Sequence, residues 1–306
     1  MERAAAAAHT HIEVGGPALL AADPTWIEPF LAFVAKNHLP LSFLSWHWYA
    51  SDPMIGPVGP IPMPPKGTPP YWYDPALSAK SYGEQVAAVR AMLASFPSLH
   101  PKLWIDEWNV GVGYDARNGQ PFDAAFAAAV LDSAQTSGLD RMCFFDAWNP
   151  QGSGGGGFAA AESNQGLLAP NFTPQPVYYT FAFWSAMAQR EVPVTLSPAQ
   201  TSSRPSGRVG AVASVGPHGR VTVLAYNFMA YSPTGNYGTS DPNPYDRIVT
   251  VALSGLKRSR TYNWTQALVD AVHNGSVVGH GTLKGPSGQL SFTLPGEGVT
   301  LITLTP

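Results

Sequence analysis

The sequence predicts an α/β region followed by an all-β region, and three observations support this fold class. Up to about residue 191, short apolar runs alternate four times with segments of helical period. After residue 192 the helical period stops, and short runs of alternating polarity follow, separated by turn residues. The 306 residues are also enough for two ordinary domains. We therefore predict domain boundaries at 1–191 and 192–306.

The four apolar runs of the first region indicate buried parallel strands. A continuous apolar run bounded by turn residues is typical of a strand that is covered on both faces. The runs occur at residues 12–14, 41–46, 103–108 and 141–148. The Gly-Gly-Pro sequence at 15–17 is expected to end the first strand, and the second strand continues into His47 and Tyr49.

Helices are predicted between these strands. Asp23 can cap a helix that has Pro24 at its first position, and apolar residues then recur at helical spacing as far as Val34. Further helices are predicted at 81–96, 122–137 and 174–190, and residues 2–8 fit the last turns of a helix. This alternation predicts a parallel sheet whose strands all end at one edge.

The second region has the pattern of an antiparallel β-sandwich. Six strands are predicted, at 209–215, 220–226, 247–253, 261–268, 289–294 and 299–304. Long loops rich in Gly and Pro are predicted at 52–75, 152–157 and 231–245.

Composition excludes several classes of protein. The net charge of −3 and the absence of a basic run argue against binding to nucleic acid or to an anionic membrane. No run of 18 apolar residues predicts a membrane span, and no signal peptide is recognised, so a cytoplasmic location is expected if Met1 is the true start. The single cysteine, Cys143, excludes an internal disulfide and is expected in the core. The eight histidines show no metal-ligand spacing, and neither metal nor cofactor is expected.

One strand end carries a candidate catalytic group. Glu107 lies between Trp104 and Trp108, where the third strand should stop. The carboxyl ends of barrel strands are where such folds place catalysis, and tryptophan rings offer flat faces on which sugars stack. We therefore interpret Glu107 as a glycosidase nucleophile, against the alternative of an ordinary exposed carboxylate. Asp106 is expected to point away from Glu107, because neighbours on a strand face opposite sides.

Several motifs occur in an order that resembles glycoside hydrolase family 39, the β-xylosidases and α-L-iduronidases. Residues 14–18 resemble the family's fifth-strand Val-Gly-Gly-Pro-Ala, and residues 44–49 resemble the sixth-strand Val-Ser-x-His-x-Tyr. Residues 105–109 resemble the seventh-strand Ile-Thr-Glu-(Tyr/Trp)-Asn, and residues 165–181 resemble the closing helix. The resemblance implies a carbohydrate substrate and a retaining mechanism.

By this resemblance Glu107 is the nucleophile, and His47 and Tyr49 line the subsite for the glycone. Trp108 and Asn109 belong to the same motif and are expected to bind substrate with them. The family's eighth strand carries a tryptophan at the floor of the sugar site. Phe145 takes that place here, with Trp148 slightly later. Asp146 is expected on the same rim, in a role other than proton transfer.

The resemblance also implies an incomplete barrel. The family's general acid/base is a glutamate in an Asn-Glu-Pro turn after the fourth strand, and these 306 residues contain no Asn-Glu-Pro. The expected architecture is therefore a partial (β/α)8 barrel, strands five to eight, followed by the β-sandwich. Open barrel edges would pair with a missing N-terminal half or a second copy. We expect little or no activity on natural xylosides from this chain alone.

Two alternatives remain open. One is a non-catalytic carbohydrate-binding protein whose aromatic rim holds sugar without cleaving it; the rim tryptophans would be Trp46, Trp48, Trp72, Trp104 and Trp108. The other is an inactive fragment with no independent function.

Overall fold

The structure is a computed structural model that describes residues 12–49, 75–110, 119–148, 165–197, 208–228 and 246–306, together with Ala4, Ala7 and Ala8. Most of the loop expected at 52–75 lies outside the described residues, as do those at 152–157 and 231–245 and the rim residue Trp72. The chain divides into two compact units, Met1–Val112 with Ser133–Asp146, and Gly113–Asp132 with Ala147–Pro306.

The first unit is built on a four-stranded sheet, and all three strand pairs are parallel, as predicted. The strands follow chain order across the sheet: β1 (Gly15–Leu19), β2 (Phe43–Trp48), β3 (Lys102–Trp108) and β4 (Arg141–Phe144). Helix α1 (Pro24–Lys36) connects β1 to β2, and helix α2 (Pro75–Leu93) precedes β3.

Strand β1 begins later than predicted. Residues 12–14 were expected to be the strand and Gly15 part of the turn, but the pairing with β2 starts at Gly15. The reason is the close approach of the two backbones: a Cβ atom at Gly15 would collide with the carbonyl oxygen of Phe43. Glycine here permits tight pairing and does not mark a turn.

Helix α1 starts as its sequence predicts. Asp23 Oδ1 accepts a hydrogen bond from the backbone N–H of Thr25 at 2.8 Å, with Pro24 at the first helical position. Ile27, Leu31 and Val34 form the buried stripe of this helix.

The two faces of the parallel sheet differ in how far their side chains are shielded from solvent. One face is buried, and its tryptophans are anchored by α2: Trp48 Nε1 donates to Ser81 Oγ at 2.8 Å. The completely or almost completely buried side chains of this face are Leu44, Trp46, Trp48, Leu103, Ile105 and Trp108. On the other face Phe43 and Trp104 stack with ring centroids 3.8 Å apart, and both remain partly exposed. Parallel sheets usually have both faces covered, whereas the described residues of this unit bury one.

Cys143 corrects an expectation on this sheet. It was expected in the core because it lies in an apolar run, but it is exposed. Strand β4 pairs only with β3 among the described strands, and alternation along it places Cys143 on the same side as exposed Arg141.

The second unit contains two antiparallel sheets, which confirms the predicted strand pairing. The strands are β5 (Glu191–Val192), β6 (Arg208–Val215), β7 (Val221–Phe228), β8 (Arg247–Leu253), β9 (Thr261–Val269), β10 (Asn274–Lys284), β11 (Gly288–Leu294) and β12 (Val299–Thr305). A six-stranded sheet has the order β10-β9-β12-β7-β6-β5, and a two-stranded sheet pairs β11 with β8. The sheets share a core in which Val223 and Ile302 pack with Leu290.

Strand β10 was not predicted from the sequence. Its three glycines disfavour a strand by composition. In the structure the ring of Trp264 on β9 lies against Gly279 and Gly281, and a Cβ at Gly281 would be 2.9 Å from Trp264 Nε1. The glycines therefore make room for a large side chain on the neighbouring strand.

Two helices pack with the six-stranded sheet in this unit. They are α3 (Pro121–Gln135), whose residues to Asp132 belong here, and α4 (Pro176–Ala186). Phe122 and Phe126 of α3 contact Phe228 of β7, with ring centroids 5.5 and 5.6 Å apart. Thr180 Oγ1 of α4 donates to the carbonyl of Ala124 at 3.0 Å. No helix in the described part of the chain is long and apolar enough to cross a membrane.

Candidate active site

The candidate site forms where β2 and β3 end side by side. Trp46 is opposite Ile105, but the next pair is His47 with Glu107, so Asp106 is an extra residue on β3. Such a bulge breaks the alternation of side chains and is common beside active sites. It turns the end of β3 so that the carboxyl groups of Asp106 and Glu107 both lie near His47 of β2.

Both carboxylate oxygens of Glu107 lie beside a polar group from the end of β2. The hydroxyl of Tyr49 donates to Oε1. Nδ1 of His47 is 3.1 Å from Oε2. The Glu107 side chain keeps 27% of its surface exposed, so the carboxylate is held and still reachable. This fixed orientation is what a nucleophile needs.

Tyr49 is suited to remain a donor. Its side chain is buried, and burial is the largest cause that raises the pKa of its hydroxyl far above the usual value. The hydrogen bond to Glu107 and the negative charge of Glu107 raise the pKa further. The phenol therefore keeps its proton over the pH range in which enzymes work, and it donates a hydrogen bond to the carboxylate.

Asp106 does not simply point away from Glu107, as the alternation rule predicted. The imidazole of His47 lies between the two carboxylates, with Nε2 3.6 Å from Asp106 Oδ1 and Nδ1 on the Glu107 side. The bulge is the physical reason, because it removes the two-residue period on which that prediction rested. No signal in the sequence indicated this contact.

Trp108 and Asn109 are buried and hold the strand ends in place. The ring of Trp108 packs edge-on against Tyr82 and Phe144, with centroids 5.7 and 5.1 Å away. Asn109 Nδ2 donates to the carbonyl of Phe145 at 2.6 Å. The ring of Trp108 and the amide of Asn109 have no exposed surface. Their contacts are those of packing and positioning groups.

Phe145 and Asp146 follow β4 at the same end of the sheet. The ring of Phe145 meets that of Tyr49 edge-to-face at 6.4 Å, and Phe145 is 36% exposed. Burial raises the pKa of the Asp146 carboxyl, although a hydrogen bond to its own backbone lowers it. Asp146 Oδ1 is buried without a hydrogen-bond partner among the described residues. Asp146 also lies near enough to Tyr49 to raise its pKa.

Trp148 belongs to the second unit, and its surroundings are described there. Its ring stacks on Phe172 with centroids 4.8 Å apart, and its Nε1 donates to the carbonyl of Pro170 at 3.3 Å. Both rings are exposed, Phe172 to 63%. The first unit thus brings together His47, Tyr49, Glu107, Asn109 and Phe145.

The arrangement can hold an ionised carboxylate beside an aromatic surface. The carboxyl groups at this end of the sheet are those of Asp106, Glu107 and Asp146, and the ring of His47 lies between the first two. The part of the chain that the structure describes contains no group of three His, Cys, Asp or Glu side chains that could hold a metal ion.

Comparison with known proteins identifies a family whose model matches most of this chain. The family model described as glycosyl hydrolases family 39 matches residues 2–261. A β-xylosidase from Geobacillus stearothermophilus is 29% identical over 197 residues, which are 60% of this chain and 35% of that protein.

Solved structures show the same fold. A monomeric β-xylosidase from Caulobacter crescentus superposes with a TM-score of 0.70 at 19% identity, covering 100% of this chain and 64% of the other. A family 39 enzyme from Xanthomonas axonopodis pv. citri gives a TM-score of 0.70 at 18% identity, covering 100% and 62%. The chain therefore spans about a third of the curated relative and less than two thirds of these solved proteins.

Proposed function

The chain belongs to the glycosyl hydrolases of family 39, and we propose that it provides the nucleophile half of a retaining glycosidase that acts on β-xylosides or related glycosides. The main support for this proposal is that Glu107 is held at both carboxylate oxygens. One faces the hydroxyl of Tyr49, and the other faces Nδ1 of His47. The proposed nucleophile is Glu107 because its carboxylate is oriented, partly exposed and at the end of a parallel strand.

In the proposed reaction Glu107 attacks the anomeric carbon of the sugar, and the bond from that carbon to the leaving oxygen breaks. The leaving oxygen takes a proton from an acid, or departs as a phenolate where the leaving group is already stable. Water then attacks the same carbon and gives up a proton to the base form of that acid or to solvent, the ester bond breaks, and Glu107 is released as a carboxylate. Tyr49 and His47 orient the carboxylate before attack and receive it again after hydrolysis.

The described part of the site is better suited to a neutral sugar than to a uronide. Its carboxyl groups are those of Asp106, Glu107 and Asp146, whose pKa burial raises, and any that are ionised would repel the carboxylate of a uronide. The basic residues at the starts of β3 and β4 are engaged at the other end of the sheet. Lys102 pairs with Glu13, and Arg141 lies 4.7 Å above the ring of Trp104. Phe145 offers the exposed ring on which the sugar can stack.

We further propose that the parallel sheet is strands five to eight of a (β/α)8 barrel. Three observations support this: one face of the sheet is uncovered, β1 and β4 each pair on one side among the described strands, and the solved relatives are longer than this chain. Retaining hydrolysis needs a second carboxyl group about 5–5.5 Å from the first. The remaining strands would supply it, from an N-terminal half that pairs through these edges.

The alternative of a purely sugar-binding aromatic rim receives little support. Trp46, Trp48 and Trp108 are fully buried, and Phe43 stacks on one face of Trp104. A rim that binds sugar needs exposed ring faces, and these rings do not provide them.

Covalent trapping tests the proposal. A dinitrophenyl 2-deoxy-2-fluoro-β-xyloside needs no acid to release its phenolate, so it reports on the nucleophile alone. We expect mass spectrometry to find the fluorosugar on the peptide that contains Glu107, and to find none in Glu107→Gln. Glu84→Gln, an exposed change on α2, is the control and should label like the unchanged protein. An unlabelled wild-type chain, or label retained in Glu107→Gln, would refute the proposal.

A further inference from the structure

We propose that Asp106 is a positioning residue that acts on the nucleophile through His47. The inference rests on the proposed function of Glu107, and it assigns a role to a carboxylate that a strand of ordinary alternation would keep away from the site. Asp106 touches neither sugar nor leaving group in this proposal; it holds the ring of His47 from the far side.

The geometry makes His47 a bridge between consecutive carboxylates. Its Nδ1 is 3.1 Å from Glu107 Oε2, and its Nε2 is 3.6 Å from Asp106 Oδ1. The two nitrogens lie at opposite corners of one rigid ring, so fixing one fixes the direction of the other. The bulge at Asp106 produces this arrangement, since without it only one carboxylate would be opposite His47.

The shielding of one Asp106 oxygen gives this contact its weight. The Asp106 side chain is 24% exposed, but its Oδ1 is shielded from solvent and has no hydrogen-bond partner in the described residues. A shielded carboxylate oxygen without a hydrogen-bond partner is costly, and Nε2 of His47 is the ring nitrogen that lies 3.6 Å from it. The ring of His47 is therefore held between two carboxyl groups, one at each nitrogen.

The reaction would make this second contact important. When Glu107 becomes an ester, its carboxylate charge disappears and the Nδ1 side of His47 loses its anionic partner. Asp106 remains charged and keeps the ring in position until hydrolysis restores the Glu107 carboxylate. Glu107 already loses charge in the transition state of bond formation, so support of the ring by Asp106 should affect the rate of that step. It should leave sugar binding almost unchanged, since Asp106 does not touch the sugar.

Labelling kinetics separate this role from a purely structural one. With the fluorosugar reagent above, we expect Asp106→Asn to lower the maximal labelling rate about tenfold or more, with the half-saturating concentration changed less than about twofold. Asp106→Glu should recover part of the rate because it restores the negative charge. In a His47→Asn background the same Asp106→Asn change should have an effect below about twofold, since the residue through which it acts is gone.

Two outcomes overturn the inference while the proposed function stands: wild type and Asp106→Asn label at the same rate, or Asp106→Asn costs as much with His47 replaced as with it present. Failure of the wild type to label refutes the proposed function instead. The inference is then decided by nitrogen NMR of the His47 ring, assigned by its loss in His47→Asn. A shift of the ring signals in Asp106→Asn supports it, and identical spectra refute it.

Discussion

Glu107 depends on two different donors at the end of the neighbouring strand. Tyr49 is neutral and buried, and its raised pKa keeps the phenol protonated. His47 is partly exposed and lies against Asp106 as well as Glu107. The Tyr49 hydroxyl therefore fixes the carboxylate by a hydrogen bond that is shielded from solvent. His47 fixes it through a ring that also lies against Asp106.

Replacement of Tyr49 by Phe tests the hydrogen bond from Tyr49 to Glu107. The ring should keep its place, edge-on to Phe145, while Glu107 Oε1 loses its donor. We expect the maximal rate of covalent labelling to fall about tenfold to a hundredfold, because one charge-assisted hydrogen bond is lost. The fluorosugar reagent and mass spectrometry give the measurement.

Tyr178→Phe is the matched control, since Tyr178 is an exposed tyrosine of α4 in the second unit. It should leave the labelling rate unchanged. Equal labelling by Tyr49→Phe and the wild type would show that the Tyr49 hydroxyl does not support the nucleophile.

At the scale of elements, three strands of the parallel sheet, β2, β3 and β4, were predictable because each lies in a continuous apolar run. The order of elements and the direction of pairing follow from such runs. Glycines caused the two main errors. Gly15 was assigned to a turn and belongs to β1, and the glycines of β10 hid a strand. In both places a backbone or ring approaches so closely that a side chain would collide, and a single sequence does not reveal that approach.

The candidate site was predictable only in part, for a related reason. The strand ends gave Glu107, His47 and Tyr49, because parallel strands end at one edge. The burial of Trp108 and the contact of Asp106 depend on a one-residue bulge, which leaves no compositional mark. Two-residue alternation therefore predicts which face of the sheet a side chain occupies as far as the bulge, but not beyond it.

In the second unit, helix α3 is joined to strand β7 by a half-buried hydrogen bond. The hydroxyl of Tyr226 donates to Asp132 Oδ2 at 2.7 Å. Burial raises the pKa of Asp132, and the charge of Glu191 raises it further, while the Tyr226 hydrogen bond lowers it. Since the folded pKa lies above the unfolded one, the stability that Asp132 contributes is fully present below the unfolded value. It is lost as pH rises through the folded value.

Asp132→Asn should remove this dependence. The amide oxygen can still accept the hydrogen bond from Tyr226, and it carries no charge to bury. We expect the variant to equal or exceed the wild type in melting temperature at pH 7, with the difference growing as pH rises from about 4, near the ordinary aspartate pKa. Thermal unfolding at a series of pH values measures this. Asp23→Asn, a cap exchange that conserves capping, is the control. A variant that loses more stability at pH 7 than at pH 4 would contradict the prediction.

The parallel sheet of the first unit has an uncovered face and two strands that pair on one side among the described residues. Phe43 and Trp104 lie on that face, partly exposed and stacked. Exposed apolar surface next to unpaired strand edges favours association with another chain. At the scale of the whole molecule, we therefore expect the isolated 32.5 kDa chain to self-associate or to unfold with low cooperativity.

Light scattering after size-exclusion chromatography tests this expectation, with thermal unfolding measured on the same sample. Phe43→Lys places a charge on the uncovered face and should shift an associated species towards the monomer. Ile248→Lys changes an equally apolar residue, 84% exposed on β8 in the second unit, and should not. Adding the N-terminal half of a related barrel should displace self-association and raise turnover of nitrophenyl xyloside, because the missing acid would arrive with it. A wild-type chain that is monomeric, unfolds cooperatively and turns over that substrate unaided would contradict the half-barrel proposal.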